Sequence, residues 1–495
     1  MPRPNTIAVD TPAGVPRASA ALAHASVPPG HAASPTHRAG RGPLHETPSG
    51  PRPDRIRRWL MALVVLALLL RVGAIVALRA WQNPNAMEHK AIALFLLDRG
   101  QFLFSDWKYL GPSSVQSPPY PLLLAGLFKL FHPFGRPEPA PAAFAAAMVI
   151  NALAGAATVW LTYLLARTLG GSAAVGLGAA AACAVWPTQV YSVTHAQAIC
   201  LITAGVTAVM VLFYRSVRGG RLRPWLGYSL VGTLAALTEP VLLPVMALSG
   251  LLVLGWRRLP PAVRVRNAAV LLLAALIVIG PWTVRNRRVH GQWIPIKSTF
   301  WVNVWKGNNE NASGTDRPIM SEERARALEQ EMYTLDDSQL RDPEADAIRQ
   351  YDLLPPDKQA RLIGRSEAER ERVFKEFATT WIKANPGKYA RLCLVRLGKT
   401  LWIDWDNPKS HNVVYVTSHA LLLGLSAAGL GLAIRRRWSL LFPLLMAGSC
   451  LLTYTLTVTA ARFSIPFEPL QLCFASLCVV EAWRRFGPRP GRVRQ

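Results

Sequence analysis

Acidic residues are scarce in this chain: 29 Asp and Glu stand against 55 Lys and Arg, and charged residues of both signs fill only 17% of 495 positions. Soluble domains carry roughly 25%, so an ordinary globular chain fits poorly. Cysteine is also sparse, at six. No Cys-x-x-Cys pair and no Cys/His ligand spacing occurs, which argues against a disulfide framework or a zinc site. Cys183, Cys200, Cys450, Cys473 and Cys478 lie in apolar runs and Cys393 in a basic amphipathic stretch; they read as small packing residues. Internal repeats are missing. No apolar segment precedes residue 59, so a cleavable signal peptide is not expected and the first span acts as its own address. Residues 1–55 almost lack large apolar side chains and are expected to form a disordered, basic cytoplasmic tail.

What is present is apolar sequence in blocks. The chain is 51% hydrophobic with a mean hydropathy of +0.21. Uncharged runs recur from about residue 60 to 284 and from 413 to 483. Several reach the roughly 17–25 residues that span hydrocarbon. Only helices and closed barrels satisfy their backbone there, so the expected fold is an all-α polytopic membrane bundle of about 10 (9–13) transmembrane helices. Spans are expected at 59–79, 142–166, 173–191, 196–214, 225–238, 240–256, 267–284, 413–434, 438–458 and 464–483. The pair flanking Thr238-Glu239-Pro240 is short, and one half could be re-entrant.

The net charge of +26 and pI near 10.6 invite a nucleic-acid reading. The placement of the arginines argues against it. With the N-terminus inside, Arg55, Arg57 and Arg58, Arg167, Arg215 to Arg223, Arg257 to Arg266, Arg435 to Arg437, and Arg484 and Arg485 all fall in cytoplasmic turns. The outer turns near Tyr191–Gln197 and Glu239 contain no Lys or Arg. That is the positive-inside pattern, with both termini cytoplasmic in a plasma (inner) membrane.

The expected organisation is an N-terminal transmembrane bundle over 56–284 with a first outer loop at 80–140, an extracytoplasmic segment over 285–412, C-terminal helices over 413–484 and a basic tail over 485–495. Tyr120–Phe131 is apolar but too short to cross, and reads as an interfacial helix. Helices are expected over 322–332 and 367–384. A third, over 389–403, is amphipathic and should lie at the membrane surface.

Polar outliers gather at the outer ends of the spans. Glu88-His89-Lys90 follows the first span, with Asp106 and Lys108 further on and Ser117-Pro118-Pro119-Tyr120-Pro121 beyond. A carboxylate there could act as a general base, although on spacing alone Glu88 also reads as an exposed loop acid. Gly280-Pro281-Trp282-Thr283-Val284-Arg285-Asn286-Arg287 leads to Asn303-Val304-Trp305-Lys306-Gly307-Asn308-Asn309. Arg285 could grip a lipid phosphate or simply snorkel. The Gly-Asn-Asn turn could present amide donors to a polar ligand. Ala461-Arg462-Phe463-Ser464-Ile465-Pro466-Phe467-Glu468-Pro469 puts a second cation at the outer interface. Arg71 lies inside the first span, about 12 Å from its outer end, and should face the bundle.

Together these blocks, in this order, resemble the GT-C glycosyltransferases over about residues 56–480, in particular the bacterial family 39 branch related to protein mannosyltransferases and aminoarabinose transferases. IALFLLDRGQF…SPPYPLLLAGLFKLF is similar to that family's first outer loop, and LAALTEP to its mid-bundle turn, where Arg usually stands in place of Glu239. PWTVRNRRVHGQWIPI…VNVWKGNNENASG is similar to its most recognisable stretch, and ARFSIPFEPL to the approach to its last span. The resemblance implies a polyprenyl-phosphate sugar donor and inverting transfer, in one displacement, to an acceptor glycan, lipid or protein on the extracytoplasmic side. By position Glu88 falls in the acidic motif, which usually also carries an Asp; here Asn85, Ala86 and Met87 precede it, and Gln197 stands near where a Glu is usual. The resemblance implies Glu88 as base with Asp106 in reserve, Arg285 and Arg462 on the donor phosphate with Lys108 behind them, and His89, Asn308, Asn309 and Glu239 near substrate. No metal ligands are assigned, and a divalent cation is left open as cofactor. Two alternatives stay open: a transporter or flippase of lipid-linked saccharides, and a catalytically inactive relative. No nucleic-acid partner is expected.

Overall fold

The computed structural model describes residues 53–82, 84–86, 88–131, 141–319, 353–405 and 407–487. The tail before residue 53, the helix expected over 322–332 and the end of the chain after residue 487 lie outside the described residues.

Apolar runs leave the backbone no partner but itself, and they become helices. α1 (Pro53–Ala77) comes first. A connecting region follows, with α2 (Glu88–Arg99), a hairpin of β1 (Leu103–Asp106) and β2 (Tyr109–Pro112), and α3 (Pro119–Phe131). Next come α4 (Pro141–Leu169), α5 (Ala173–Val185), α6 (Pro187–Tyr191), α7 (Ile199–Gly219), α8 (Leu222–Thr238), α9 (Leu243–Leu254) and α10 (Pro261–Val278). The second polar region holds α11 (Gly280–His290), α12 (Phe300–Lys306), α13 (Pro356–Ala360), α14 (Glu367–Ala384) and α15 (Pro386–Leu401). α16 (Val413–Arg435), α17 (Leu441–Leu456) and α18 (Glu468–Phe486) close the chain.

The result is a helical multi-pass bundle. α1, α4, α7, α10, α16 and α18 with its leading turn are long and apolar enough to cross a bilayer, and the α5–α6 pair, bent by 51°, makes a seventh. The other three expected spans are shorter: α8 has 17 residues, α9 12 and α17 16. At 1.5 Å per residue α8 and α17 reach about 24–26 Å and α9 about 18 Å, short of a ~30 Å hydrocarbon core. Burial separates two layers. In the apolar stretches of α4 and α7, 56% and 61% of residues are buried, against 22% in α1, 11% in α10 and 22% in α16. The inner helices build the core and the outer ones present Leu and Val to lipid.

One end of the bundle collects the arginine-rich turns. Ser439 N donates to Leu169 O at 2.9 Å. Arg218 Nη2 donates to Thr168 O at 2.6 Å and Ser439 Oγ at 3.1 Å, and Arg266 Nη2 to Gly220 O at 2.8 Å. The α4–α5, α7–α8 and α16–α17 turns therefore lie together, as charge segregation predicted.

Arg71 is fully buried and faces the bundle. Pro187 has no N–H to offer the Cys183 carbonyl four residues back. Arg71 replaces it: Nη2 donates to Cys183 O at 3.2 Å and Nη1 to Ala184 O at 3.1 Å. Gly155 makes the room, since a Cβ there would sit 2.4 Å from Arg71 Nε.

The second polar region has its own small core of Val304, Trp305, Leu354, Leu362, Phe374 and Ala378. α14 starts at the expected Glu367 behind a Ser366/Glu369 capping box, the reciprocal cap that satisfies two orphan amides. The β-hairpin turns through Trp107 and Lys108, both at positive φ (53° and 55°). Non-glycine residues adopt that conformation at a cost. Packing holds it: Trp107 lies against the small core, and its carbonyl accepts from Gly364 N at 2.8 Å.

Candidate functional site

The end opposite the arginine-rich turns gathers the polar outliers that the sequence singled out. Glu88 is the first residue of α2, where unpaired amides and the helix dipole favour an anion. Gln116 Nε2 donates to Glu88 Oε2 at 2.9 Å. The same amide's Oε1 accepts from Lys297 Nζ at 3.0 Å. Burial alone would raise the Glu88 carboxyl. Its own backbone amide, His89, the Gln116 bond and Lys297 outweigh that and hold it below the usual carboxylate range.

His89 is buried and tilts against the Tyr120 ring, with centroids 5.2 Å apart. Its Nδ1 has no partner among the described residues. Burial lowers its pKa to about 4, helped by the positive charges of Lys297 and Arg462 and opposed by Glu88. The ring is neutral at neutral pH.

Two further elements close the patch. α8 stops at Glu239, whose extended backbone (φ −129°, ψ 97°) turns the chain at Pro240. Burial lifts the Glu239 carboxyl above the usual range, and Lys297 and Arg462 pull it partly back. Arg462 sits in the turn Ala461–Phe467 ahead of α18. It lies 5.7 Å over the Phe463 ring, which itself stacks on Tyr454 at 4.5 Å. Lys297 and Arg462 thus act on both His89 and Glu239, and these groups share one electrostatic neighbourhood with Glu88. The floor is fixed by Asn151 of α4. Its Nδ2 donates to Tyr120 Oη at 3.2 Å, His195 O at 2.9 Å and Gln197 O at 3.1 Å. Gln197 in turn donates to Asn85 Oδ1 at 2.7 Å.

No protein-family model matches the chain, and no curated protein is similar to it in sequence. Solved structures are similar. The oligosaccharyltransferase AglB from Archaeoglobus fulgidus, in complex with an inhibitory peptide and a dolichol-phosphate, is 14% identical over 87% of this chain and 51% of its own, with a TM-score of 0.49. The chain spans about half the length of that protein. ArnT from Cupriavidus metallidurans bound to undecaprenyl phosphate is 16% identical over 83% of this chain and 78% of its own, with a TM-score of 0.35. Both neighbours are GT-C membrane glycosyltransferases.

The structure brings Glu88, His89, Glu239 and Arg462 together and adds Gln116 and Lys297, which the sequence reading missed. The other expected residues stand elsewhere. Arg285 is a tether. Its Nη1 donates to Ser113 O at 2.6 Å and Ser114 Oγ at 3.0 Å, its Nη2 to Phe102 O at 2.9 Å, and its plane lies 4.7 Å over Trp282. Asp106 and Lys108 are on the hairpin, where the Asp106 carboxylate meets Arg370 at 3.8 Å and Lys108 is exposed. Asn308 and Asn309 are buried, with Nδ2 groups donating to Val304 O at 2.7 Å and Trp305 O at 3.0 Å. They cap their own helix because the backbone must pass closely there: a Cβ on Gly307 would fall 1.8 Å from Thr457 O. Arg396 clamps that crossing, donating to Gly307 O at 2.6 Å and Thr455 O at 2.6 Å.

Glu367, also missed, ties the two polar regions together. Its carboxylate accepts from Ser113 Oγ at 2.7 Å, Ser114 N at 2.8 Å and the Ser298 hydroxyl. This bracket sets the segments that bear Gln116 and Lys297.

Among the described residues no three His, Cys, Asp or Glu side chains converge. Lone acids do not offer the several oxygens a divalent cation prefers, so the described residues do not fit a metal.

Proposed function

We propose that this chain is a membrane glycosyltransferase that moves a sugar from a polyprenyl-phosphate carrier to an acceptor hydroxyl or amine on the extracytoplasmic side, with inversion in a single displacement. The observation that carries the reading is the Glu88–Gln116–Lys297 relay, with Arg462 in the same electrostatic neighbourhood. An ionised acid and two cations in one patch suit a reaction in which a nucleophile loses a proton as a phosphate departs.

In the proposed step the acceptor oxygen or nitrogen attacks the anomeric carbon. The bond from that carbon to the carrier phosphate oxygen breaks, and its electron pair leaves with the phosphate. Glu88 takes the acceptor proton. Lys297 and Arg462 receive the phosphate charge. Charge-assisted bonds of this kind are the stronger class, and they act most where charge develops in the transition state. The neutral His89 ring and Glu239 present hydrogen-bonding atoms to the sugar. Arg285, Glu367 and Arg396 act at one remove, by fixing the segments that carry the reacting groups. α15 exposes Leu394 and the chain after it exposes Trp402 and Trp405, a surface suited to the membrane interface where a lipid carrier would approach.

The arginine-rich turns at the opposite end support an orientation with that end and both termini in the cytoplasm. The test is transfer in proteoliposomes supplied with polyprenyl-phosphate-linked sugars, read by mass spectrometry of the acceptor. New glycosidic product from the native chain and none from Glu88→Gln supports the reading. Lipid movement across the vesicle without any new glycosidic bond overturns it.

A further inference from the structure

A cavity lies at the other end of the bundle, among the arginine-rich turns. Its volume is about 780 Å³, and Tyr214, Arg218, Trp256, Arg258, Trp438 and Leu441 are among its lining residues. It sits between the α7–α8, α9–α10 and α16–α17 turns, at the C-terminal end of α7. Nothing in the proposed transfer uses it.

Three observations give it a chemistry. The first is charge: the lining includes two arginines and no carboxylate. The second is how those arginines are held. Arg218 is set in place by Thr168 O and Ser439 Oγ through Nη2 and lies 5.5 Å over the Tyr214 ring. Its Nη1 and Nε make no hydrogen bond among the described residues. Arg258 is exposed and has no ion pair or hydrogen bond among them. The guanidinium of Arg218 is thus preorganised with donors to spare, which favours a phosphate or carboxylate ligand. The third is the wall. Trp256 and Trp438 line the cavity, and Phe213 behind it stacks on Phe442 at 3.9 Å and packs edge-on to Trp256 at 6.0 Å. Leu441 lines the cavity yet is 54% exposed, so the rim is apolar and reaches the surface of the bundle.

A free anion needs no aromatic wall of this size. A lipid needs both parts, a cationic seat for its phosphate and an apolar flank for its glycerol and first methylenes. Basic pockets between helices at the cytoplasmic level are suited to anionic lipid headgroups, and tryptophan favours that depth. We propose that this cavity binds the phosphate headgroup of an anionic membrane phospholipid. The inference needs only a bundle that crosses the membrane and is independent of the proposed transfer reaction.

The test uses the full chain in detergent, with dioleoyl phosphatidylglycerol, dioleoyl phosphatidylcholine and inorganic phosphate as separate probes. Binding is read by native mass spectrometry and thermal stability. Phosphatidylglycerol should be retained and raise the melting temperature, while phosphatidylcholine should do neither. Arg258→Ala makes no contact to lose in folding and should weaken phosphatidylglycerol binding about tenfold, in line with loss of one charge-assisted bond. Arg218→Ala should weaken it further. Unchanged binding in the well-folded Arg258→Ala variant would overturn the proposal, as would equal retention of phosphatidylcholine. Stabilisation by inorganic phosphate alone would also overturn it, by showing that the lipid portion adds nothing.

Discussion

Glu88 and Lys297 are joined through a single side chain, the amide of Gln116, which donates to the acid at 2.9 Å and accepts from the ammonium at 3.0 Å. The bridge holds the acid and the ammonium apart, and the ammonium spends one of its three protons on it. A direct ion pair would instead have set the two charges against each other.

Glu88→Gln should remove transfer by a factor of about 10²–10⁴, the usual worth of a placed general base, while leaving carrier-lipid binding within twofold or so. Single-turnover transfer and lipid binding measured on the same preparation decide it. Near-normal transfer in the variant would sink the role given to Glu88, and the same result in Asp106→Asn as well would leave no carboxylate candidate from the first connecting region.

Arg462→Ala and Lys297→Ala should each weaken carrier binding by roughly 10–100-fold, since hydrogen bonds to charged groups contribute about 1.5–3 kcal/mol. Arg462→Lys should recover part of the loss, because it restores the charge without the planar fork. Donor KM is the readout. An unchanged KM in both alanine variants would show that the phosphate sits elsewhere.

How much of this was legible in the sequence depends on how far apart the partners lie. The apolar helices, the shortness of α3 and the boundaries of α14 follow from local apolar period and capping; six of the ten expected spans, or seven with the bent α5–α6 pair, have the length to cross, and the other three form shorter helices. Glu88, Glu239 and Arg462 were visible because a charge at the end of an apolar run is conspicuous. Gln116 and Lys297 were not, because each is an unremarkable polar residue in a loop until the fold brings the two loops together. Glu367 reads as an ordinary helix-starting acid; only its three distant partners show that it is a bracket. Asn308 and Asn309 looked like ligand donors because Gly-Asn-Asn is turn chemistry, but the glycine is there for a backbone crossing with Thr457.

Stability of the second polar region should fall as pH rises from about 4.5 to 7. Burial pushes Glu371 up to about 7, against the pull of its bonds from the Trp301 and Val302 amides. The folded state therefore holds this proton more tightly than the unfolded one. The stability so gained is full below the ordinary carboxylate range and is lost as pH passes the raised value, on the order of 1.4 kcal/mol per pH unit crossed. Thermal melts of the native chain and Glu371→Gln at pH 5 and pH 8 test it. The variant should show the shallower pH dependence, and identical slopes would refute the assignment.

Gly155→Ala should lower the melting temperature and the yield of folded protein, because the new methyl would meet Arg71 at 2.4 Å. Displacing that guanidinium strands the Cys183 and Ala184 carbonyls at about 1–3 kcal/mol each. Differential scanning fluorimetry against Gly73→Ala, at a position with nothing within 4 Å of the added carbon, separates this effect from loss of glycine itself. Equal melting temperatures in the two variants would count against the cap.

The kink at Pro187 depends on a group borrowed from a different helix. Its open carbonyl finds a donor only when Arg71 is alongside, so the bend and the docking of α1 form one cooperative event. While the chain is being inserted, α5 would enter the bilayer with that oxygen unserved, and an arginine already waiting there from the first helix would recruit it. A cation in the first helix and a proline in a later one are thereby complementary halves of one joint.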